Sequence, residues 1–194
     1  MLTQLSPPSA EPLSLAEAKL HLRVGADITE DDGLIAALIV TARQQAEHRT
    51  GRALVSQQWR YAIDAFPVDS LELPLPKLQS VQSVSYLDSN GARQTLANTE
   101  YDVITDELVG RLIPAYGKSW PSCRERPGSV QVSYTCGYGA ASDVPQSIKA
   151  WMLLAIAAWY ENREGVVIDN RVAVIELPRC FWEGLLDPFW VPGA

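Results

Sequence analysis

The chain has 194 residues, 47% of them hydrophobic, and a formal net charge of −7 at pH 7. This length allows one domain that buries roughly 70% of its unfolded surface, so the core does not need a disulfide or a metal ion to be stable. The negative charge is the wrong sign for a protein that binds nucleic acid tightly through lysine and arginine. The three cysteines, Cys123, Cys136 and Cys180, have no CxxC spacing, which indicates reduced thiols and no disulfide.

The first twelve residues, MLTQLSPPSAEP, contain three prolines and predict an extended arm. They lack a basic segment followed by an apolar one, so we expect no signal peptide. Two helices follow. SLAE at 14–17 has the spacing of a capping box and opens a short helix to about residue 24, and TEDD at 29–32 opens a longer one that Thr50 and Gly51 end.

From residue 57 the hydrophobic period changes to that of strands. WRYAIDAF, YDVI, GRLIP and SVQVSYTC alternate or form short apolar runs, and Asn90-Gly91 is a strong hairpin signal. Residues 57–137 are therefore predicted to form a small antiparallel β region.

A helix returns at VPQSIKAW, and no charged residue occurs from Ala150 to Tyr160. A helix that is apolar all round lies in a core or between subunits, and this one is too short to cross a bilayer, which takes roughly 20 apolar residues. We expect Trp151, Leu154 and Ala158 in the core and Tyr160 at a contact edge. Residues 172–177 predict a strand or an extended arm, and a last short helix follows.

These elements predict an α+β fold class. A helical framework, made of two N-terminal helices plus a long apolar helix near 145–164, carries an inserted small antiparallel β region. The predicted domain is single, over 1–194, with the framework at 13–51 and 144–187 and the β region at 57–137.

Two motifs resemble nucleotide-binding loops but lack their context. GKS at 117–119 has Leu112 where a phosphate-binding loop needs a glycine, and no helix is predicted after it. GYGAAS at 137–142 has Ser142 at the third glycine position of a dinucleotide fingerprint, and no parallel βαβ unit surrounds it. A glycine-rich turn between a strand and a helix is the simpler interpretation.

No catalytic or metal-binding set is visible. His21 and His48 are the only histidines and lie in no metal-ligand spacing. The acidic residues between Asp27 and Asp32 lack the order of a calcium loop and suit helix capping. We therefore expect no enzyme activity, no cofactor and no metal.

Four aromatic residues lie close together near the end of the sequence: Phe181, Trp182, Phe189 and Trp190. They either fold back onto the core of this chain or anchor another chain, since aromatic residues dominate interface hot spots. Both alternatives can hold for different residues.

The ordered set LSLAEAKLHLRV, DDGLIAALIVTARQQAEHRTGRAL, VQVSYTCGYG, VPQSIKAWMLLAIAAWYENRE and LLDPF resembles tailed-bacteriophage head-tail connector (adaptor) proteins. GRLIP, GKSWP and the WYENRE helix end match the same pattern, and the resemblance runs from about Leu13 to Phe189. The sequence departs from it in the inserted β region and in Phe189-Trp190, where a basic residue is expected.

The resemblance implies a structural virion protein of the neck between capsid and tail, assembled in the bacterial host cytoplasm. It would form a homo-oligomeric ring, dodecameric in the virion, that docks below the portal protein and extends the DNA channel to the tail. The implied partners are the portal protein, a head-closure (stopper) or tail protein, and genomic DNA that passes without specific binding; no membrane is involved. Partner contacts are expected at Tyr160, Phe181, Trp182, Phe189 and Trp190.

The net charge adds an expectation about the channel. DNA that moves through a channel must not stick, so we expect an inner surface that is acidic or neutral. Two alternative functions remain open at this point. One is another neck component, such as a head-closure or tail-completion protein, and the other is a small enzyme of unrecognised type.

Overall fold

The computed structural model of the chain describes residues 1–105, 108–162, 182 and 184–192. In this part of the chain the helices are α1 (Leu15–Leu22), α2 (Asp32–Thr50) and α3 (Gln146–Glu161). The strands are β1 (Leu2–Ser6), β2 (Gln57–Ile63), β3 (Leu71–Glu72), β4 (Leu78–Leu87), β5 (Arg93–Leu96), β6 (Tyr101–Ile104), β7 (Arg111–Pro114) and β8 (Val130–Cys136).

The chain divides into two compact units. The sheet unit comprises Met1–Ser9 and Gly51–Gly139 and contains all of these strands. The helical unit comprises Ala10–Thr50 and Ala140–Gly193 and contains α1, α2 and α3.

The larger sheet of the sheet unit is antiparallel and has the strand order β1-β2-β8-β4-β5. Its central strand β8 alternates strictly: Val130, Val132, Tyr134 and Cys136 are buried, and the residues between them are partly exposed. Successive side chains of a strand point to opposite faces, so this alternation defines a core face and an outward face. β4 pairs with β8, and the register of this pairing shifts at two places.

A second, three-stranded antiparallel sheet has the order β3-β7-β6. Its residues Leu71, Leu112 and Tyr101 join Val132 and Tyr134 in one hydrophobic core. The hydroxyl of Tyr134 donates a hydrogen bond of 2.8 Å to the carbonyl oxygen of Pro74. The polar tip of this buried ring is therefore satisfied.

The helical unit begins with the predicted capping box. Ser14 Oγ accepts from the amide of Glu17, and the Glu17 carboxylate accepts from the amide of Ser14. Hydrogen bonds from the hydroxyl and amide of Ser14 lower the pKa of Glu17 below its usual value. One turn further on, Lys19 is buried and donates to the carbonyl oxygens of Ala26 and Ile28 and to Asp32. Its ammonium group therefore ties the loop between α1 and α2 to α1.

α2 and α3 pack through residues at helical spacing. α2 buries Ile35, Ile39, Ala42 and Ala46, and α3 buries Ile148, Trp151, Met152, Ala155 and Ile156. In the part of the chain that the structure describes, no helix is long and apolar enough to cross a membrane.

The predicted fold class is wrong. The chain is a mixed fold in which two antiparallel sheets, with eight strands among the described residues, make up a substantial unit rather than a small insert in a helical framework. The prediction failed because the arm of residues 1–6 pairs with β2 and widens the sheet, which then encloses its own core. The helix near 145–164 is not apolar all round either, since it ends at Glu161 and buries Lys149 within its first turns.

The predicted turns are confirmed. Asn90-Gly91 lies in the hairpin between β4 and β5, and Gly91 has a φ of +86°. GYG at 137–139 connects β8 to the helical segment, with no βαβ unit around it. Gly117 of GKS lies in an exposed turn, and Lys118 forms an ion pair of 3.2 Å with Glu100.

Candidate assembly surfaces

The described C-terminal residues pack on the helical unit through an aromatic pair. The rings of Trp182 and Trp151 are stacked with centroids 5.6 Å apart and an interplanar angle of 24°. The guanidinium of Arg49 lies 5.6 Å from the centroid of the Trp151 ring. Trp182 is therefore held by this chain's own core, which was one of the two alternatives for the C-terminal aromatics.

Two apolar side chains anchor the residues that follow. Leu186 and Val191 are only 5% and 3% exposed. The amide of Val191 donates a hydrogen bond of 3.0 Å to the carbonyl oxygen of Thr50 at the end of α2. The chain between these anchors forms a 3-10 helix at Asp187–Phe189.

Trp190 projects from this anchored segment with 60% of its surface exposed. Phe189 is half-buried, and Phe181 lies outside the described residues. Because the backbone of this segment is already fixed by its anchors, the indole of Trp190 would lose little further conformational freedom on binding a partner. A large exposed aromatic side chain of this kind is suited to be an anchor.

Tyr160 lies near the end of α3 and is half-buried. Its hydroxyl donates a hydrogen bond to the carboxylate of Asp31. Tyr160 therefore has an intramolecular role in the helical unit, and any substitution that removes the hydroxyl also changes this bond.

Between Ala150 and Ala158 the outward side of α3 carries no charge, and the exposed Glu161 ends the helix on the same side. Ala150, Leu154 and Ala158 are exposed at intervals of four residues, and Leu154 is 40% exposed. The expectation that Leu154 and Ala158 lie in the core is therefore wrong, whereas Trp151 is buried as predicted. The prediction failed because it assigned the wrong side of the helix to the core. All eleven residues from 150 to 160 are uncharged, so polarity alone does not indicate which side faces the core.

Sequence reasoning missed Leu20 on α1, which is 81% exposed. Open cavities of about 500 Å³ and about 560 Å³ lie on either side of it. The first is lined by Leu13, which precedes α1, and by residues of α1 and α3, including Ala150 and Leu153. The available signal was an apolar residue outside the stripe of Leu15, Ala18 and Leu22.

The chemically reactive residues do not converge. His21 and His48 are both exposed. Among the described residues no three histidine, cysteine or acidic side chains are placed to hold a metal ion. Cys123 is a free thiol, the thiol of Cys136 donates to the carbonyl oxygen of Gln57 at 4.0 Å, and Cys180 is outside the described residues.

The chain is similar to a family of connector proteins and to proteins of gene transfer agent particles. Residues 12–86 match the family model of the phage gp6-like head-tail connector protein. A chain from the neck of an empty gene transfer agent particle, computed with C6 symmetry, is 25% identical with a TM-score of 0.79, covering 100% of this chain and 98% of that one. No curated protein matches the chain.

Two further structures have the same fold. A chain from the virion of a native gene transfer agent particle is 24% identical with a TM-score of 0.78. A chain from the neck of the native particle, computed with C12 symmetry, is 23% identical with a TM-score of 0.76. Each alignment covers 100% of this chain and 98% of the other.

These matches define the class of protein as a structural connector of a particle neck. The resemblance to head-tail connector proteins is confirmed over residues 12–86, and the similarity of fold extends over the whole chain. The predicted structural function and the predicted place in the virion neck are confirmed at the level of this class.

Proposed function

We propose that the protein is a ring-forming head-tail connector that docks below the portal protein and extends the DNA channel to the tail. The observation that carries the proposal is the end-to-end similarity to a neck protein, which covers 100% of this chain and 98% of the other at a TM-score of 0.79. The proposed ring has twelve copies in the virion, a number compatible with the C12 symmetry applied to a neck that contains a chain of the same fold.

A ring requires a heterologous interface, in which one surface of each subunit meets a different surface of the next. The outward side of α3 is uncharged between Ala150 and Ala158 and supports such a role, because charged residues are depleted in the buried centre of interfaces. Leu154 is the large apolar side chain exposed on this side of α3, and Leu20 is the one exposed on α1. We propose that this side contacts a neighbouring subunit and that Tyr160 lies at its edge.

For the C-terminal residues the proposal divides the aromatics. Trp190 and Phe189 contact the portal protein or an adjacent subunit, whereas Trp182 supports them by stacking on Trp151. Phe181 remains a proposed contact on the sequence alone. The single connector domain over residues 1–194 also stays a prediction.

We infer that the protein has no catalytic role. Another neck component, a head-closure or tail-completion protein, is the second candidate and differs in binding the tail side of the neck rather than the portal. The match of residues 12–86 to the head-tail connector family favours the portal-side assignment.

The test is the native mass of the purified protein, alone and mixed with the portal protein encoded by the same genome. We expect a ring, or a stable complex with the portal. Trp190→Asp should abolish capture by the portal while circular dichroism stays native-like, because the indole is 60% exposed.

Two controls separate loss of contact from loss of fold. Tyr116 is fully exposed in the sheet unit, so Tyr116→Asp should leave portal capture unchanged. Val191→Asp places a carboxylate at a site that is 3% exposed and should release the C-terminal segment. A protein that stays monomeric and ignores the portal would contradict the proposed function, and unchanged capture by Trp190→Asp would contradict only the assignment of that residue.

A further inference from the structure

The outward face of the five-stranded sheet has an unusual chemistry. Arg60 on β2 is paired with Ser133 on β8, which is paired with Ser83 on β4. Apart from Ala62 and Leu87, every paired outward position of β2, β4, β5 and β8 is arginine, serine, threonine or glutamine. We call these positions, with the adjacent Arg126, the donor face, because it contains hydrogen-bond donors and no carboxylate.

Three guanidinium groups give the donor face its charge. Arg60 is exposed, and Arg93 donates a hydrogen bond of 3.2 Å to the hydroxyl of Ser85. Arg126 lines, together with Arg93 and Gln131, an open cavity of about 500 Å³ at one end of the face. Asp64 lies at this cavity too, but its carboxylate accepts a hydrogen bond of 3.0 Å from the amide of Gly128. Within the described residues, none of the three arginines forms an ion pair with a carboxylate.

The negative charge of the chain is concentrated elsewhere. The segments of the helical unit contain 14 acidic and 8 basic residues, whereas those of the sheet unit contain 9 and 8. The net charge of −7 therefore does not describe this face.

We propose that the donor face contacts the phosphate backbone of double-stranded DNA, weakly and without reading its sequence. Guanidinium, hydroxyl and side-chain amide groups are all among the donors that proteins use to contact phosphate oxygens. The centre of a protein interface is enriched in aromatic residues and arginine and depleted in serine. The paired positions of this face include four serines and no aromatic residue, so its composition favours a phosphate polymer over a protein partner although arginine suits both. This inference goes beyond the proposed connector function, and it is an alternative to the expectation of an acidic or neutral channel surface.

The number of arginines sets the expected strength. Three phosphate contacts per chain correspond to a slope of about −2.7 in a plot of log K against log salt concentration. Non-specific binding of this kind has a Kd of about 10⁻⁴ M or weaker at physiological salt. DNA is then guided by the surface and still moves past it.

The test measures fluorescence anisotropy of a labelled DNA duplex with the full chain over a series of low salt concentrations. The triple variant Arg60→Gln, Arg93→Gln, Arg126→Gln should bind DNA at least about tenfold more weakly than the wild type. The slope of log K against log salt concentration should be near zero, since each lost phosphate contact removes about one unit of slope. The matched control Arg23→Gln, Lys77→Gln, Lys118→Gln makes the same change in net charge at exposed positions outside the donor face and should keep the wild-type slope.

Equal binding by the two triple variants, or no binding by the wild type at the lowest salt, would overturn the proposal. So would a donor-face variant that keeps its DNA affinity and loses ring formation, because the face would then bind a protein. Native mass and portal capture are measured on the same proteins. If the wild type forms no ring and does not capture the portal, the connector function is contradicted. If it does both but does not bind DNA, only this inference is contradicted.

Discussion

Gly137, which follows β8, is a position where an added methyl group should be strongly destabilising. It has a φ of +120°, and a Cβ atom there would lie 2.5 Å from the carbonyl oxygen of Val55 and 2.7 Å from its carbonyl carbon. Both neighbours are backbone atoms and cannot rotate away. The amide of Gly137 also donates a hydrogen bond of 2.8 Å to the carbonyl oxygen of Lys77, which opposes any shift of the turn.

The expected cost of Gly137→Ala follows from these distances. Holding a non-glycine residue at a sparsely populated φ costs about 1–3 kcal/mol. Displacing the packed backbone adds about 1–3 kcal/mol, as for overpacking in a core. The free energy of unfolding should therefore fall by about 4 kcal/mol, a large fraction of the total for an ordinary domain, about 5–15 kcal/mol.

Urea denaturation followed by circular dichroism measures this loss. Gly117→Ala is the matched control, because its φ is +74° and a Cβ atom there meets nothing within 4 Å. It should lose only about 1–2 kcal/mol, the cost of the left-handed conformation. If the two variants lose the same free energy, the close approach to Val55 does not constrain the turn and the reasoning is refuted.

Two further predictions concern the helical unit. The pKa of Glu17 is lowered by the hydroxyl and the amide of Ser14, so its stabilising effect is present above its unfolded pKa of about 4.3 and is lost as the pH falls through the folded value. Ser14→Ala should raise this pKa, measured by NMR titration, and cost about 1 kcal/mol; an unchanged pKa would contradict the assigned cause. Lys19→Met removes the bonds from a buried ammonium to two carbonyl oxygens and to Asp32, and should cost about 3 kcal/mol in thermal denaturation. A loss below about 1 kcal/mol would show that this buried pair contributes little.

Much of the local structure was predictable because neighbouring residues determine it. The capping box at Ser14 and Glu17 and the hairpin at Asn90-Gly91 are decided within four residues of sequence, and both are confirmed. The resemblance to connector proteins could also be recognised from the sequence, because it depends on the order of such segments along the chain.

The extent of the sheet was not predictable from local pattern. β1 pairs with β2 more than fifty positions away, so nothing within residues 1–6 distinguishes a free arm from an edge strand. The donor face has the same origin, since it exists only once β2, β8, β4 and β5 lie side by side.

The sequence by itself determined the elements, the turns and the class of protein, and it identified which aromatic residues are candidates for contact. Only the tertiary structure decided that Trp182 stacks on Trp151 while Trp190 remains exposed, and that Leu154 faces outward on α3. The physical reason is that burial depends on what packs against a side chain. Trp182 and Trp190 have the same hydrophobicity, and they differ only in whether another part of the chain covers them.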